Sequence, residues 1–465
     1  MKTNELKLSK GRETDFTKGS PMKLMLAFYW PLLLTSMLQQ FYNFADMWIV
    51  GKGIGDDALA AVGNMGSLFF LIVGFSFGLA NGFGVSVAQS YGAKDYGELK
   101  HRLAGIIELG VILAMLLTMF SVVFLADALR VLQTDEQIFA DCLKYGYIVF
   151  GGLSAGICYN ISGAILRALG DSRTPLKAII ISSVLNISLD SLLIFGFKMG
   201  VEGAAVATVC SQVISAFICI RRLKNISILK LVKDDYDNDR KVFFGLLKNG
   251  LPMAFMNSVT AVGCMVVQSF VNVYGVAYTA AFAACGKYLN LFMNPASTAG
   301  NAMSAYASQN YGAGEYKRIR DGLFVGIWIA LTSYVLLGSL MVFFPRGLAA
   351  LLLTGEEQIS LACIFLPRCG IMLFIVDILF VVRSCVQGMA KPMLPMVSGI
   401  LEMILRMVVI SYFIGKIGFR ATAYAEISAW IGALIVNAAA LYLALAPLLE
   451  KTKRTVFTRV ETKSI

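Results

Sequence analysis

Asp46, Asp190, Lys287, Asp377, Glu402 and Arg406 stand inside stretches of sequence that are otherwise apolar. An ionised side chain in hydrocarbon costs about 2.5–3.5 kcal/mol on insertion scales, so each is a functional candidate by default. The chemistry on offer is the holding of a proton or a small cation. Bond-making chemistry lacks its equipment: no HExxH-like, Ser–His or DxxD-like constellation falls in an apolar stretch, and the one histidine, His101, falls in a loop. A histidine relay is excluded, and any proton carrier within the spans has to be Asp or Glu. Asn186 precedes Asp190 by four residues, which puts both on one helix face, and Thr208 offers a hydroxyl from the next stretch.

The stretches themselves set the architecture. Of the 465 residues 57% are hydrophobic and 15% charged, far more apolar side chain than a water-soluble fold buries. About 20 apolar residues span the hydrocarbon as a helix. Such runs are centred on residues 25–50, 58–90, 103–126, 142–165, 175–196, 202–221, 248–273, 277–310, 322–344, 360–388, 395–414 and 420–448, which predicts an all-α membrane protein of twelve transmembrane helices. A barrel would need apolar and polar residues to alternate, and "GVILAMLLTMFSVVFLA" does not alternate. The polar first twenty residues carry no cleavage-site pattern, so the first run reads as a retained helix. The nine cysteines lack CxxC spacing and histidine partners, and read as small core residues rather than a metal or disulfide set.

The net charge of +11 does not point to nucleic acid, because the basic residues are scattered through short loops rather than gathered with aromatics. With the N-terminus inside, the tail to Lys23, the loops at Lys94–Arg102, Arg167–Lys177, Arg221–Lys248, Lys317–Arg320 and Arg383–Lys391, and the C-terminus hold about thirty of the forty Lys and Arg residues. The opposite loops hold about eight: Lys52, Arg130, Lys144, Lys198, Arg346, Arg368, Lys416 and Arg420. Both termini are expected on the cytoplasmic side of the cell membrane.

"AQSYGAKDYGELK" (Ala88–Lys100) returns as "SQNYGAGEYKRIR" (Ser308–Arg320): Gln89 matches Gln309, Tyr91 matches Tyr311 and Gly92 matches Gly312, while Pro175 meets Pro395 and Pro31 meets Pro252. Two six-helix halves follow. An even helix count gives them the same orientation, so their pseudo-two-fold axis runs along the membrane normal. The expected divisions are a tail at 1–23, an N-lobe at 24–221, a linker at 222–247, a C-lobe at 248–448 and a tail at 449–465. Two such lobes around a cleft fit a solute carrier that opens alternately to either side. No ring of like residues suggests a channel.

"WPLLLTSMLQQFYN" followed by "FADMWIVGKGIGDDALAAVG", the paired "YGA" turns, "LRALGDSRTP" and "MGVEGAAVATV" together resemble the multidrug and toxic compound extrusion (MATE) family, in particular its prokaryotic DinF-like branch. The resemblance spans roughly residues 20–448. It implies an antiporter, not an enzyme, that expels small amphipathic, often cationic compounds against H⁺ or Na⁺ and needs no cofactor. Asp46, Asn186, Asp190 and Thr208 match the positions of the family's N-lobe cation pocket, with Asn160 as a further contributor. A carboxyl buried in low dielectric resists ionisation, and a second one nearby adds to this, so such a pair can hold a proton near neutral pH. The same oxygens suit a hard cation such as Na⁺. The alternative for Asp46, near the end of its stretch, is capping of the next helix or contact with lipid headgroups.

The second half departs from the pattern, since Val266 stands opposite Asp46 and Arg406 opposite Asn186 at an offset of 220. It carries instead Lys287, Asp377, Glu402, Arg406 and Glu426, read as a neutralising network or as a direct contact for ion or substrate. Asp377 lies near the family's tenth-helix acid, while "GLPMAFMNSVT" lacks the seventh-helix Glu of some sodium-coupled members. Gln39, Tyr42, Asn257, Asn290, Met293 and Asn294 could face the cleft, among many Met and Phe residues that offer an adaptable lining. Pro31, Pro295 and the Gly-rich "GFSFGLANGFG" mark helices able to bend. A monomer with lipid as its surroundings is expected. The rival is a flippase for lipids or lipid-linked sugars, which would need a cationic cleft that only Lys287 and Arg406 could supply.

Overall fold

The computed structural model describes residues 13–237 and 240–461. Residues 1–12 and 462–465 of the expected tails, and 238–239 of the linker, lie outside it. The first half contains α1 (Pro21–Gly53), α2 (Asp56–Ala93), α3 (Tyr96–Val123), the short α4 (Leu125–Val131), α5 (Glu136–Gly151), α6 (Leu153–Ala168), α7 (Arg173–Asp190) and α8 (Val201–Lys224). The second contains α9 (Arg240–Asn272), α10 (Val276–Gly312), α11 (Tyr316–Phe343), the short α12 (Pro345–Leu352), α13 (Glu356–Gly388), α14 (Met393–Ile417) and α15 (Arg420–Glu461). Two short 3₁₀ turns, Ser227–Leu229 and Lys233–Tyr236, lie in the linker. α15 runs past 448, where the sequence places the start of a tail.

Among the described residues ten helices are long and apolar enough to cross a membrane, and α5 with α6, bent by 45° at their junction, forms an eleventh span. The twelfth is α10. Its low hydropathy follows from its position: the run "NPASTAGNAMSAYASQN" is small and polar because it is packed between helices, with Ala296, Ala299, Ala302, Ala307 and Gln309 buried. Small residues let helix backbones approach closely where lipid supplies no hydrophobic drive. The lipid-facing helices show the converse, with Met115, Phe120, Trp328, Val335 and Leu336 exposed.

The twofold relation is visible in one contact. A methyl group at Gly92 would fall 1.9 Å from the carbonyl oxygen of Gln309, and one at Gly312 would fall 2.0 Å from that of Gln89. The repeated phrase is therefore where α2 and α10 cross, each supplying a glycine to the other's glutamine. Around it the basic ends of the lobes are locked together. Gln309 donates to the Ala168 carbonyl (2.8 Å) and Gln89 to that of Gly388 (3.3 Å). Gly78 and Gly82 of "GFSFGLANGFG" serve a close crossing with α9, where a Cβ would meet the backbone at Ala254 and Gly250.

The segment before α1 crosses this seam. Glu13 pairs with Arg222 (2.6 Å) and the Thr14 amide donates to the Leu169 carbonyl (3.2 Å), both on the N-lobe. Phe16, fully buried against Phe28 and Tyr306, donates its amide to Gln309 (2.9 Å), and its carbonyl accepts from Arg318 (2.8 Å) on the C-lobe.

Away from the seam the lobes part. α1 and α10 still touch at Ser36 and Thr298 (3.5 Å). Continuing outward on the same helix stripes, Gln39, Gln40 and Asn43 of α1, and Lys287 and Asn290 of α10, are exposed. Polar, exposed stripes on facing helices beyond the closed basic end are what the walls of the expected inter-lobe cleft would present.

Candidate functional site

α1, α7 and α8 bring the first acids together. Asp46 is 8% exposed, Asn186 and Asp190 are 0% and Thr208 is 6%. Asp190 is the last residue of α7, after which the chain widens into a π-helical turn, Ser191–Gly196. Such turns often occur at functional sites. Gly53 at the end of α1 fits closely on Ile194 and Phe195 of that turn, which fixes α1 against α7. The Asp46 and Asp190 carboxyls adjoin, and the rings of Tyr42 and Tyr145 stand beside them near Thr208. Asp46 does not cap α2, whose N-cap is Gly55.

The polar atoms of this set are short of partners. Asp46 Oδ1, both carboxyl oxygens of Asp190, both amide atoms of Asn186 and Thr208 Oγ1 are buried without a hydrogen bond among the described residues. Each such group costs about 1–3 kcal/mol, so a concentration of them is not what packing alone favours. Two carboxyls side by side can share one proton, and the oxygen set can coordinate a hard cation. Asn160 on α6 instead donates to Ser76 on α2 (3.5 Å).

The C-lobe charges are arranged differently from the sequence expectation. Arg406 contacts Glu402 (3.5 Å) and Glu426 (3.0 Å), and Glu402 is also paired with Arg383. Arg383, read from the sequence as a loop residue, lies in α13, near enough to α14 to complete an alternating chain of two cations and two anions. Lys287 and Asp377 do not belong to it. Lys287 is exposed on α10, and Asp377 is fully buried on α13, near Tyr29, with neither carboxyl oxygen hydrogen-bonded among the described residues. Breaking a buried pair leaves an uncompensated charge, so Glu402→Gln should lower stability by about 3–5 kcal/mol, whereas replacing Arg383 and Glu402 together by methionine should cost far less. Thermal unfolding of the two purified variants in detergent checks this order.

The cleft residues divide likewise. Asn257 donates to the Gly74 carbonyl (3.1 Å) and thus joins α9 to α2. Asn294, partly buried, accepts from Thr298 (3.4 Å), while Met293 is partly buried and Gln39 and Asn290 are exposed. Tyr42 belongs beside the carboxyl pair. The sequence reading missed Tyr145 and Arg383. Arg383 had a signal, a cation inside an apolar run, but Tyr145 had none. With Arg406 neutralised by Glu402 and Glu426, the cationic cleft that a flippase would need loses one of its two sources.

Two like lobes joined at one end, with a cleft between them and unpartnered acids in their interiors, define a membrane transport protein. A family model, MatE, matches residues 31–192 and 252–413, one match in each half, and the chain belongs to the MATE family of transporters. It is 32% identical to the "Probable multidrug resistance protein YoeA" of Bacillus subtilis (strain 168), over 74% of this chain and 76% of that protein. It is 22% identical to the "FAD transporter" of Shewanella oneidensis, over 83% and 86%. Among solved structures, the fold matches a MATE transporter in its bent conformation with a TM-score of 0.89 at 21% identity, covering 96% of this chain and 100% of the other.

Proposed function

We propose that this protein is a secondary multidrug antiporter of the cell membrane, exporting small amphipathic or cationic compounds in exchange for H⁺ or Na⁺. The carrying observation is the set of buried, unpartnered oxygens contributed by Asp46, Asn186, Asp190 and Thr208. Cation loading there changes the charge and hydrogen bonding between α1 and α7. Because α1 also packs its first half on the C-lobe, through Met25, Phe28 and Leu32, a local change reaches the inter-lobe contact. The similarity to proteins named for multidrug resistance supports the cargo class, and the relative named as a FAD transporter widens it to anion-bearing solutes. With both termini cytoplasmic, as the Lys and Arg distribution favours, the locked basic end is the inner one and the cleft opens outward. The working unit is a monomer in lipid.

The test is export of a cationic fluorescent dye by proteoliposomes under an imposed pH gradient, an imposed Na⁺ gradient, or neither. Accumulation driven by one gradient and lost on its collapse is expected. Dye flux indifferent to both gradients would make the protein a passive pathway.

A further inference from the structure

Directly above the locked seam lies a small cavity, about 50 Å³, lined from both lobes by Asn81, Arg167, Asn301, Ser304, Ser384 and Gln387 among others. The charge pattern places Arg167 in a basic loop; it is instead the penultimate residue of α6, and its side chain turns into this inter-lobe space. Its guanidinium donates to Asn81 Oδ1 (3.2 Å) and lies 5.9 Å from the Phe77 ring, and it has no ion pair among the described residues. Arg167 is partly buried, and the two buried arginines of the interior, Arg383 and Arg406, are both paired with glutamate. The surroundings are rich in donors with spare capacity. Asn301, Ser304 and Ser384 make no side-chain hydrogen bond among the described residues, and the Asn81 amide nitrogen is equally unengaged while its oxygen serves Arg167.

We infer that this cavity is an oxyanion subsite, in which Arg167, with Asn81 from its own lobe and Asn301, Ser304 and Ser384 from the other, binds the carboxylate or phosphate group of an amphipathic cargo. A guanidinium presents a planar fork of N–H groups matched to two oxygens, and the remaining donors meet the other lone pairs. The size is consistent with a head group rather than a whole cargo, since a water-sized group occupies about 10–15 Å³ on the same measure; the apolar body would lie in the cleft above. A partly buried cation without a counter-charge attracts an anion more strongly than the same cation in water. Lys287, further out on the cleft wall and also without an ion pair among the described residues, extends the positive potential along the route. Donors drawn from both lobes also make the bound oxyanion a bridge across the seam. The inference rests on the transport reading above and adds to its cationic cargo solutes bearing an oxyanion, zwitterions included.

A matched pair of dyes separates the subsite from the rest of the cleft. Rhodamine 110 carries a free carboxylate; rhodamine 123 is the same ring system as a methyl ester and is purely cationic. Binding of each to the purified protein is followed by fluorescence anisotropy, and transport of each by proteoliposome assay. Arg167→Gln should weaken rhodamine 110 binding roughly 10- to 100-fold, the range for a hydrogen bond to a charged group, and leave rhodamine 123 within about twofold. Arg167→Lys, which keeps the charge but not the fork, should fall between. Equal weakening of both dyes, or of neither, would overturn the subsite. The binding ratio reads the subsite even if neither dye is transported, an outcome that would instead sink the efflux reading.

Discussion

Asp46→Asn is expected to leave the protein folded and inserted while gradient-driven export drops to the level of protein-free membranes. Asparagine matches the carboxylate in shape and retains an oxygen, so the contacts of α1 with the π-helical turn should survive. What it cannot do is ionise. The adjoining Asp190 would then hold or release its proton without a second carboxyl beside it, and the oxygen set would lose half its negative charge. Asp190→Asn should produce the same phenotype, and combining the two should cost little more than either alone, because groups that act as one unit are not additive. Efflux of the cationic dye, with unchanged thermal unfolding as the folding control, checks all three variants. Undiminished, gradient-dependent export by Asp46→Asn would remove the pair from the mechanism, and the subsite at Arg167 would still stand or fall on its own binding data.

The second large effect concerns the crossing of α2 and α10. Valine at Gly92 or at Gly312 should prevent the basic ends from closing, since a Cβ there would lie 1.9 or 2.0 Å from a carbonyl oxygen that belongs to the backbone and cannot swing aside. Restoring ordinary contact requires the helices to separate by roughly 1.5 Å or more, which also breaks the bonds of Gln89 and Gln309 that span the lobes. Either single substitution should therefore suffice. Spin labels at the exposed positions Lys94 and Glu315, on a background without the native cysteines, would report a longer inter-lobe distance by pulsed EPR, and export should fall with it. An unchanged distance distribution would show that the seam tolerates side chains there and that the glycines have another purpose.

The pseudo-symmetry makes this test more informative than a single clash. Each half contributes one glutamine and one glycine to the crossing, and the strap at Glu13–Phe16 bridges the two lobes beside it. Symmetric damage from Gly92 and Gly312 would assign closure to the repeated phrase, and unequal damage would assign part of it to the strap.

Much of this was legible in the residues. Apolar run length predicts the spans because each helix must satisfy its own backbone in lipid. Repetition of "QSYGA" as "QNYGA" predicts two like halves, and it also names the place where they meet, although its reason as a mutual glycine contact needs the two helices side by side. Asp46, Asn186, Asp190 and Thr208 stand out because a polar group in an apolar run is costly, and the structure brings them to one interior. The failures have a common cause. Arg167 and Arg383 look like loop residues when only their distance from the nearest basic cluster is considered, yet both lie in the last turns of helices, and a long side chain near a helix end can turn either to solvent or inward.

Thus periodicity, charge distribution and duplication determined the bundle, its halves and the acids worth watching, because each of those follows from what a single segment must do in a membrane. Partnership was decided only by tertiary packing. Whether Glu402 answers Arg383 as well as Arg406, whether Asp377 is left without a hydrogen bond, and whether Arg167 faces an aspartate or an open cavity depend on which helices lie side by side and how they are rotated. Side-chain direction about a helix axis is set by those neighbours, and no spacing within one helix encodes it.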